Sequence, residues 1–250
     1  MNNKNKSFIC IGAVHKDTNL IFKKNYYLKR TNPVLQKKSI GGVAYNIASK
    51  IAILNQNIEL VSLNCIEVIK KEIKKRNIKF SPLNNSIKNR SYTTILNNKR
   101  QMILGLADMD AYEKKIKILK TKLYLQKIII IDLNLSSANI QKLINKFYKN
   151  NFISICGTSP HKVYKIKNQL NKIHILILNK QESLNLTNKK NIMNALKYLI
   201  CKNNKLTILI TNGKNKTTVY HKGYIYFCLP PKIKIKNENG AGDSMSAVFI

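Results

Sequence analysis

Lys127-Ile128-Ile129-Ile130-Ile131-Asp132 and Phe152-Ile153-Ser154-Ile155-Cys156 are two short β-branched runs, and residues 138–150 between them carry apolar side chains at helical spacing. A third such run, residues 174–178, follows a second helical stretch at 161–170. Strands that alternate with helices are joined by right-handed crossovers, which gives a parallel sheet covered by helices on both faces. The alternation extends outward in both directions. On the amino-terminal side, residues 7–14 and 58–63 read as strands, 43–54 and 66–76 as helices. On the carboxyl-terminal side, 191–201 reads as a helix, and 206–211, 217–221 and 224–228 as strands. Two segments interrupt it. Residues 19–28 form one; residues 91–106 form the other, where the turn Asn97-Asn98-Lys99-Arg100 between two strands signals a hairpin. With no internal repeat and no Pro/Gly/Ser linker, we expect one α/β domain with a small β appendage. In such sheets ligands bind at the carboxyl ends of the strands, where strand order switches.

The 250 residues suffice for a substantial core, and a hydrophobic fraction of 44% argues against wholesale disorder. No apolar run approaches the roughly 18 residues of a membrane helix. Lys4 and Lys6 ahead of Phe8-Ile9-Cys10-Ile11 imitate a signal peptide. His15-Lys16-Asp17 follows without a small-residue cleavage site, so this segment reads as a first buried strand and the protein as cytoplasmic. Five scattered cysteines without a C-x-x-C pair suit free thiols, and the four histidines show no metal spacing. The net charge of +34 invites a nucleic-acid reading. The lysines, however, run along the whole chain among many Asn and Ile, residues that share A/T-rich codons. Residues 70–76 look like the solvated face of an amphipathic helix. We therefore expect no specific nucleic-acid partner and no membrane; a basic nucleic-acid-binding protein is the minor alternative.

Two glycine clusters carry chemistry. In Asn239-Gly240-Ala241-Gly242-Asp243-Ser244-Met245-Ser246-Ala247, glycines precede an apolar helix start, where unpartnered N–H groups and the helix dipole attract an anion. Asp243 either serves a reaction there or caps an ordinary helix; spacing alone leaves both open. Gly41-Gly42-Val43-Ala44-Tyr45-Asn46-Ile47-Ala48 also opens a helix, with Asn46 one turn in. Neither cluster is a Walker A loop, and Gly213-Lys214-Asn215-Lys216-Thr217 lacks the upstream glycine.

Together these residues resemble the ribokinase-like carbohydrate kinases of the PfkB family. Its Gly-Gly-x-x-x-Asn-x-Ala element corresponds to Gly41, Gly42, Asn46 and Ala48, and its Gly-Ala-Gly-Asp element to Gly240–Asp243. Its Asn-x-x-Glu element corresponds to Asn179 and Glu182, and its Thr-x-Gly turn to Thr211 and Gly213. The resemblance spans the chain. It implies a three-layer α/β/α fold with a mainly parallel central sheet and a small β lid, the lid inserted at about 18–30 and 89–106. It also implies transfer of the γ-phosphoryl of ATP to a hydroxymethyl oxygen of a sugar or nucleoside. Asp243 would accept the hydroxyl proton, and Gly240, Ala241 and Gly242 would form the anion hole. Asp17, Gly41, Gly42 and Asn46 would bind the substrate. Asn179, Glu182, Thr211 and Gly213 would serve the nucleotide, with Glu182 and Asn179 holding Mg²⁺ through water. A homodimer through the lid would be in keeping. Residues 106–110, 131–136, 158–162 and 170–174 look most like the pseudouridine kinases of the family.

The match departs at several points. His15 replaces an Asn two residues before Asp17. Asn64-Cys65-Ile66 lacks expected glycine and acidic residues, and Cys156-Gly157 replaces an acidic residue and a proline. Glu238-Asn239 replaces an uncharged pair, and Lys216 a glycine. Relatives continue with further helices beyond the point matching Ile250. A shortened, non-catalytic relative is therefore the alternative expectation.

Overall fold

The structure, a computed structural model, describes residues 7–87, 90–114, 125–231 and 240–250. In chain order its elements are β1 (Ser7–Ile11), β2 (His15–Phe22), β3 (Val34–Gly41), α1 (Val43–Ile53), β4 (Asn57–Ser62), α2 (Glu67–Lys75), β5 (Lys79–Pro82), β6 (Ser91–Leu96), β7 (Met102–Asp108), α3 (Asp110–Glu113), β8 (Ile128–Asp132), α4 (Ser137–Phe147), β9 (Phe152–Cys156), β10 (Ile175–Asn179), α5 (Lys180–Thr187), α6 (Ile192–Lys202), β11 (Thr207–Thr211), β12 (Thr217–His221), β13 (Tyr224–Cys228) and α7 (Ala241–Phe249).

Nine strands form one sheet in the order β13-β12-β11-β10-β9-β8-β1-β4-β5, parallel from β5 to β11 and antiparallel at β12 and β13. The middle strands are almost wholly Ile and Leu because helices bury both of their faces. Successive side chains alternate between the two layers. Ile9, Ile11, Ile129, Ile131, Ile153 and Ile155 join Ile140, Leu143, Ile144 and Phe147 of α4 and Leu196 and Leu199 of α6. Phe8, Cys10, Leu60 and Ile130 join Ile47, Ala48 and Ile51 of α1, Ile69 and Ile73 of α2, and Ala247 of α7. Each fully buried Ile or Leu contributes roughly 1.5–3 kcal/mol. All five cysteines are free, three of them buried. Among the described residues no helix is long and apolar enough to cross a membrane.

A separate four-stranded sheet has the order β3-β2-β6-β7. The segments at about 18–30 and 89–106 overlap it, and its first half starts at His15 and runs to Gly41; β3 escapes a sequence reading because it is a polar strand (Val-Leu-Gln-Lys-Lys-Ser-Ile-Gly) without the alternation that marks a half-buried one. Its register separates two faces. Asp17 pairs with Ser39 and Tyr92, and Asn19 with Thr94, on one face; Leu20, Ile95, Leu104 and Leu106 share the other.

The helix expected at 161–170 is replaced by two short 3₁₀ turns, Val163–Ile166 and Leu170–Lys172. Val163 and Ile166 stand three apart, which suits three residues per turn. Lys165 is drawn inward, where its Nζ donates to the Leu133 and Leu135 carbonyls and pairs with Glu113.

Candidate active site at the carboxyl edge of the sheet

Every strand from β1 to β11 that lies near the sheet centre ends in a residue of interest on the same edge. Asp132 closes β8 and pairs in register with Cys156 at the end of β9; Asn179 closes β10 and pairs with Thr211 at the end of β11. Onto this edge come the first turns of α1 and α7. Gly42, at φ 112, is the N-cap of α1, a backbone setting that L side chains rarely adopt. Gly240 caps α7, and among the described residues no side chain caps that helix. A Cβ on Gly240 or Gly242 would meet nothing within 4 Å among the described residues.

Asn46 Nδ2, one turn into α1, donates to Asp243 Oδ2 at 2.7 Å, joining the two glycine-led helices across 197 residues of chain. Burial pushes the Asp243 carboxyl up to about 6; the Asn46 amide opposes the shift and the charge of Asp132 adds to it.

Asp132 itself is 1% exposed, yet its oxygens accept from three backbone amides: Ala13 N (2.8 Å), Ala44 N (3.0 Å) and Asn134 N (2.9 Å). It ties the loop after β1 to the start of α1, a helix with no acidic residue in its own first turn. Sequence reasoning did not single out Asp132 as a site residue. An Asp-x-Asn pattern closing an Ile run was the available signal.

The residues expected to bind the substrate converge in pairs. Asp17 lies against the α-carbon of Gly41, filling the space a side chain there would need. His15 Nδ1 lies 2.7 Å from Asp17 Oδ1, so the imidazole faces the carboxylate. Gly12 and Gly157 repeat the arrangement, with the Asp132 carboxylate lodged on the first and the Glu182 carboxylate on the second.

Among the residues expected to serve the nucleotide, Asn179 Oδ1 accepts from Glu182 N (2.9 Å) and Glu182 Oε2 accepts from Asn179 N (2.8 Å), a capping box that launches α5. Burial raises the Glu182 carboxyl; the Asn179 amide opposes this and Asp243 adds to it. Burial likewise holds the Cys156 thiol well above its ordinary range, beside Ser246, Asp243, Asp132 and Glu182. Gly213, at φ 57, turns the chain after Thr211 and Asn212. No direct hydrogen bond joins Asp17, Asp243 and Glu182 among the described residues. The charge of Asp243 reaches Glu182, and Asp17 meets Gly41, the residue before the N-cap of α1. No group of three His, Cys, Asp or Glu side chains gathers to chelate a metal among those residues. Glu182 keeps Oε1 outside its capping bond, which fits a cation held through water rather than directly. Glu238 and Asn239 lie outside the described residues.

The family model of the pfkB family carbohydrate kinases matches residues 6–250. No curated protein matches the chain in sequence. A carbohydrate kinase from Agrobacterium tumefaciens superimposes with a TM-score of 0.80 at 22% identity, over 97% of this chain and 82% of that one. Ribokinase from Cryptococcus neoformans var. grubii serotype A, in complex with ADP, gives 0.75 at 12% identity, over 98% and 86%. A mutant of phosphofructokinase-2 from Escherichia coli gives 0.77 at 14%, over 97% and 84%. At these identities the likeness is one of fold, and the fold is ribokinase-like.

Proposed function

Because this chain belongs to the pfkB family of carbohydrate kinases, we propose that it transfers the γ-phosphoryl group of ATP to a hydroxymethyl oxygen of a sugar or nucleoside. Pseudouridine is the first candidate acceptor, on the resemblance of residues 106–110, 131–136, 158–162 and 170–174. The observation that carries the reading is the Asn46–Asp243 hydrogen bond, which joins a carboxylate in the first turn of α7 to the glycine-led helix α1.

In this reading Asp17, with Gly41 and Gly42 beneath it, takes two hydroxyls of the acceptor, and Asn46 holds Asp243 in line with the reacting one. Asp243, ionised above a pH of about 6, receives the hydroxyl proton as the oxygen attacks the γ-phosphorus, the bond to the β–γ bridging oxygen breaks and ADP leaves. The transition state is loose, so catalysis rests on position and on charge held by the N–H groups of Gly240, Ala241 and Gly242. Glu182 and Asn179 would hold Mg²⁺ through water, and the ion would offset charge on the triphosphate. Thr211 and Gly213 flank the nucleotide. The sheet β3-β2-β6-β7 acts as a lid that turns its Asp17 face to the acceptor and excludes water. Its other face, with Leu104 and Leu106 each 48% exposed, is the contact for a second copy of the chain.

The test is phosphorylation of ribose, ribonucleosides and pseudouridine with labelled ATP and Mg²⁺. Product with at least one acceptor, falling about 10²- to 10⁴-fold in Asp243→Asn, is expected. No product from any of them, or an equally active variant, overturns the reading.

A further inference from the structure

We infer that Lys162 is a phosphate-binding residue, its ammonium placed to contact the triphosphate where the two substrates meet; this deepens the kinase reading and rests on it. Strand order gives the position. The acceptor-side groups follow β1 or open α1, and the nucleotide-side groups end β10 and β11. Strands β8 and β9 lie between. Lys162 sits in the loop after β9, and its Nζ donates to Asn134 Oδ1, in the loop after β8, at 2.8 Å. That loop is fastened: Leu133 N donates to Thr158 Oγ1 at 3.0 Å, and Lys162 N to the Ser159 carbonyl at 3.0 Å.

The two lysines here have opposite partners. Lys165 Nζ meets both oxygens of Glu113 and two carbonyls and is consumed by the fold. Lys162, partly buried, has one neutral amide oxygen and no carboxylate partner among the described residues. The carboxylates whose charge reaches it are Asp132 and Glu113. Asp132 is spent on three backbone amides and Glu113 on Lys165. Burial and the charge of Lys165 push the Lys162 ammonium down from its ordinary range. A desolvated cation with spare N–H donors is satisfied by an oxyanion, and an ammonium is a standard point contact for phosphate.

The experiment measures binding of tripolyphosphate by calorimetry at 0.3 M salt to the wild type, Lys162→Met, Lys162→Arg and the exposed control Lys142→Met, with melting temperatures of each. The expected result is a tenfold to hundredfold weaker affinity in Lys162→Met alone, partial recovery in Lys162→Arg and unchanged melting. Absent wild-type binding, binding unchanged in Lys162→Met, or a loss that tracks a fall in melting temperature overturns the inference. Phosphoryl transfer is scored in parallel. Wild-type transfer with an unaffected Lys162→Met overturns Lys162 and leaves the kinase reading standing. Binding that depends on Lys162 without transfer to any acceptor does the reverse.

Discussion

Three carboxylates at this edge, Asp17, Asp132 and Glu182, each occupy the volume that a side chain would need at a glycine, Gly41, Gly12 and Gly157. Asp243 differs: it is held by one amide and is left energetically exposed to its proton equilibrium. Its folded pKa of about 6 lies above the ordinary value of 3.8. The folded state therefore binds the proton more tightly than the unfolded one. The ionised form costs stability above pH 6, and that cost disappears as pH falls through 6 toward 4. Asp243→Asn keeps an acceptor for Asn46 and removes the charge. At pH 8 it is expected to stabilise the protein by about 1–3 kcal/mol, raising the melting temperature by roughly 2–4 °C per kcal/mol. Scans from pH 8 to pH 4 should show the gap closing; a gap that persists at pH 4 contradicts the assignment. The glycine motifs were legible because their residue types are rare and local. Asp132 was not, because its partners Ala13 and Ala44 lie 119 and 88 residues away and leave no mark near it.

At the scale of elements, Asn179-Lys180-Gln181-Glu182 does two jobs. It marks the family and it caps α5, which carries little amphipathic pattern and was absent from the sequence expectation. Asn179→Ala removes the acceptor for Glu182 N and is expected to cost about 1 kcal/mol, a drop of roughly 2–4 °C in melting. A drop below 1 °C would show the cap to be idle. Strands β1, β8, β9 and β11 were readable because two-sided burial demands Ile and Leu there. Strand β3 was not, since most of its side chains face solvent. Residues 161–170 misled because Val163 and Ile166 satisfy helical and 3₁₀ spacing alike, and the inward pull on Lys165 decides between them.

At the scale of the molecule, a basic chain with a net charge of +34 carries an apolar strand, β7, at the edge of the smaller sheet among the described residues. Edges of that kind associate unless they are covered. Sedimentation is expected to show a dimer that Leu104→Asp with Leu106→Asp converts to monomer; a wild-type monomer at micromolar concentration would remove the lid contact from the proposal. The order of the large sheet has a separate bearing on how the chain is made. Strand β1 is synthesised before the other strands of its sheet but belongs inside it, and Asp132, which clamps its loop, is 119 residues behind Ala13. At about 5–20 residues per second, β1 waits roughly 6–24 s for that clamp. During that interval β4 can already pair with β1, but Ile9 and Ile11 lack the β8 and α4 side chains that complete their burial, so one flank of the strand stays open to misplaced partners.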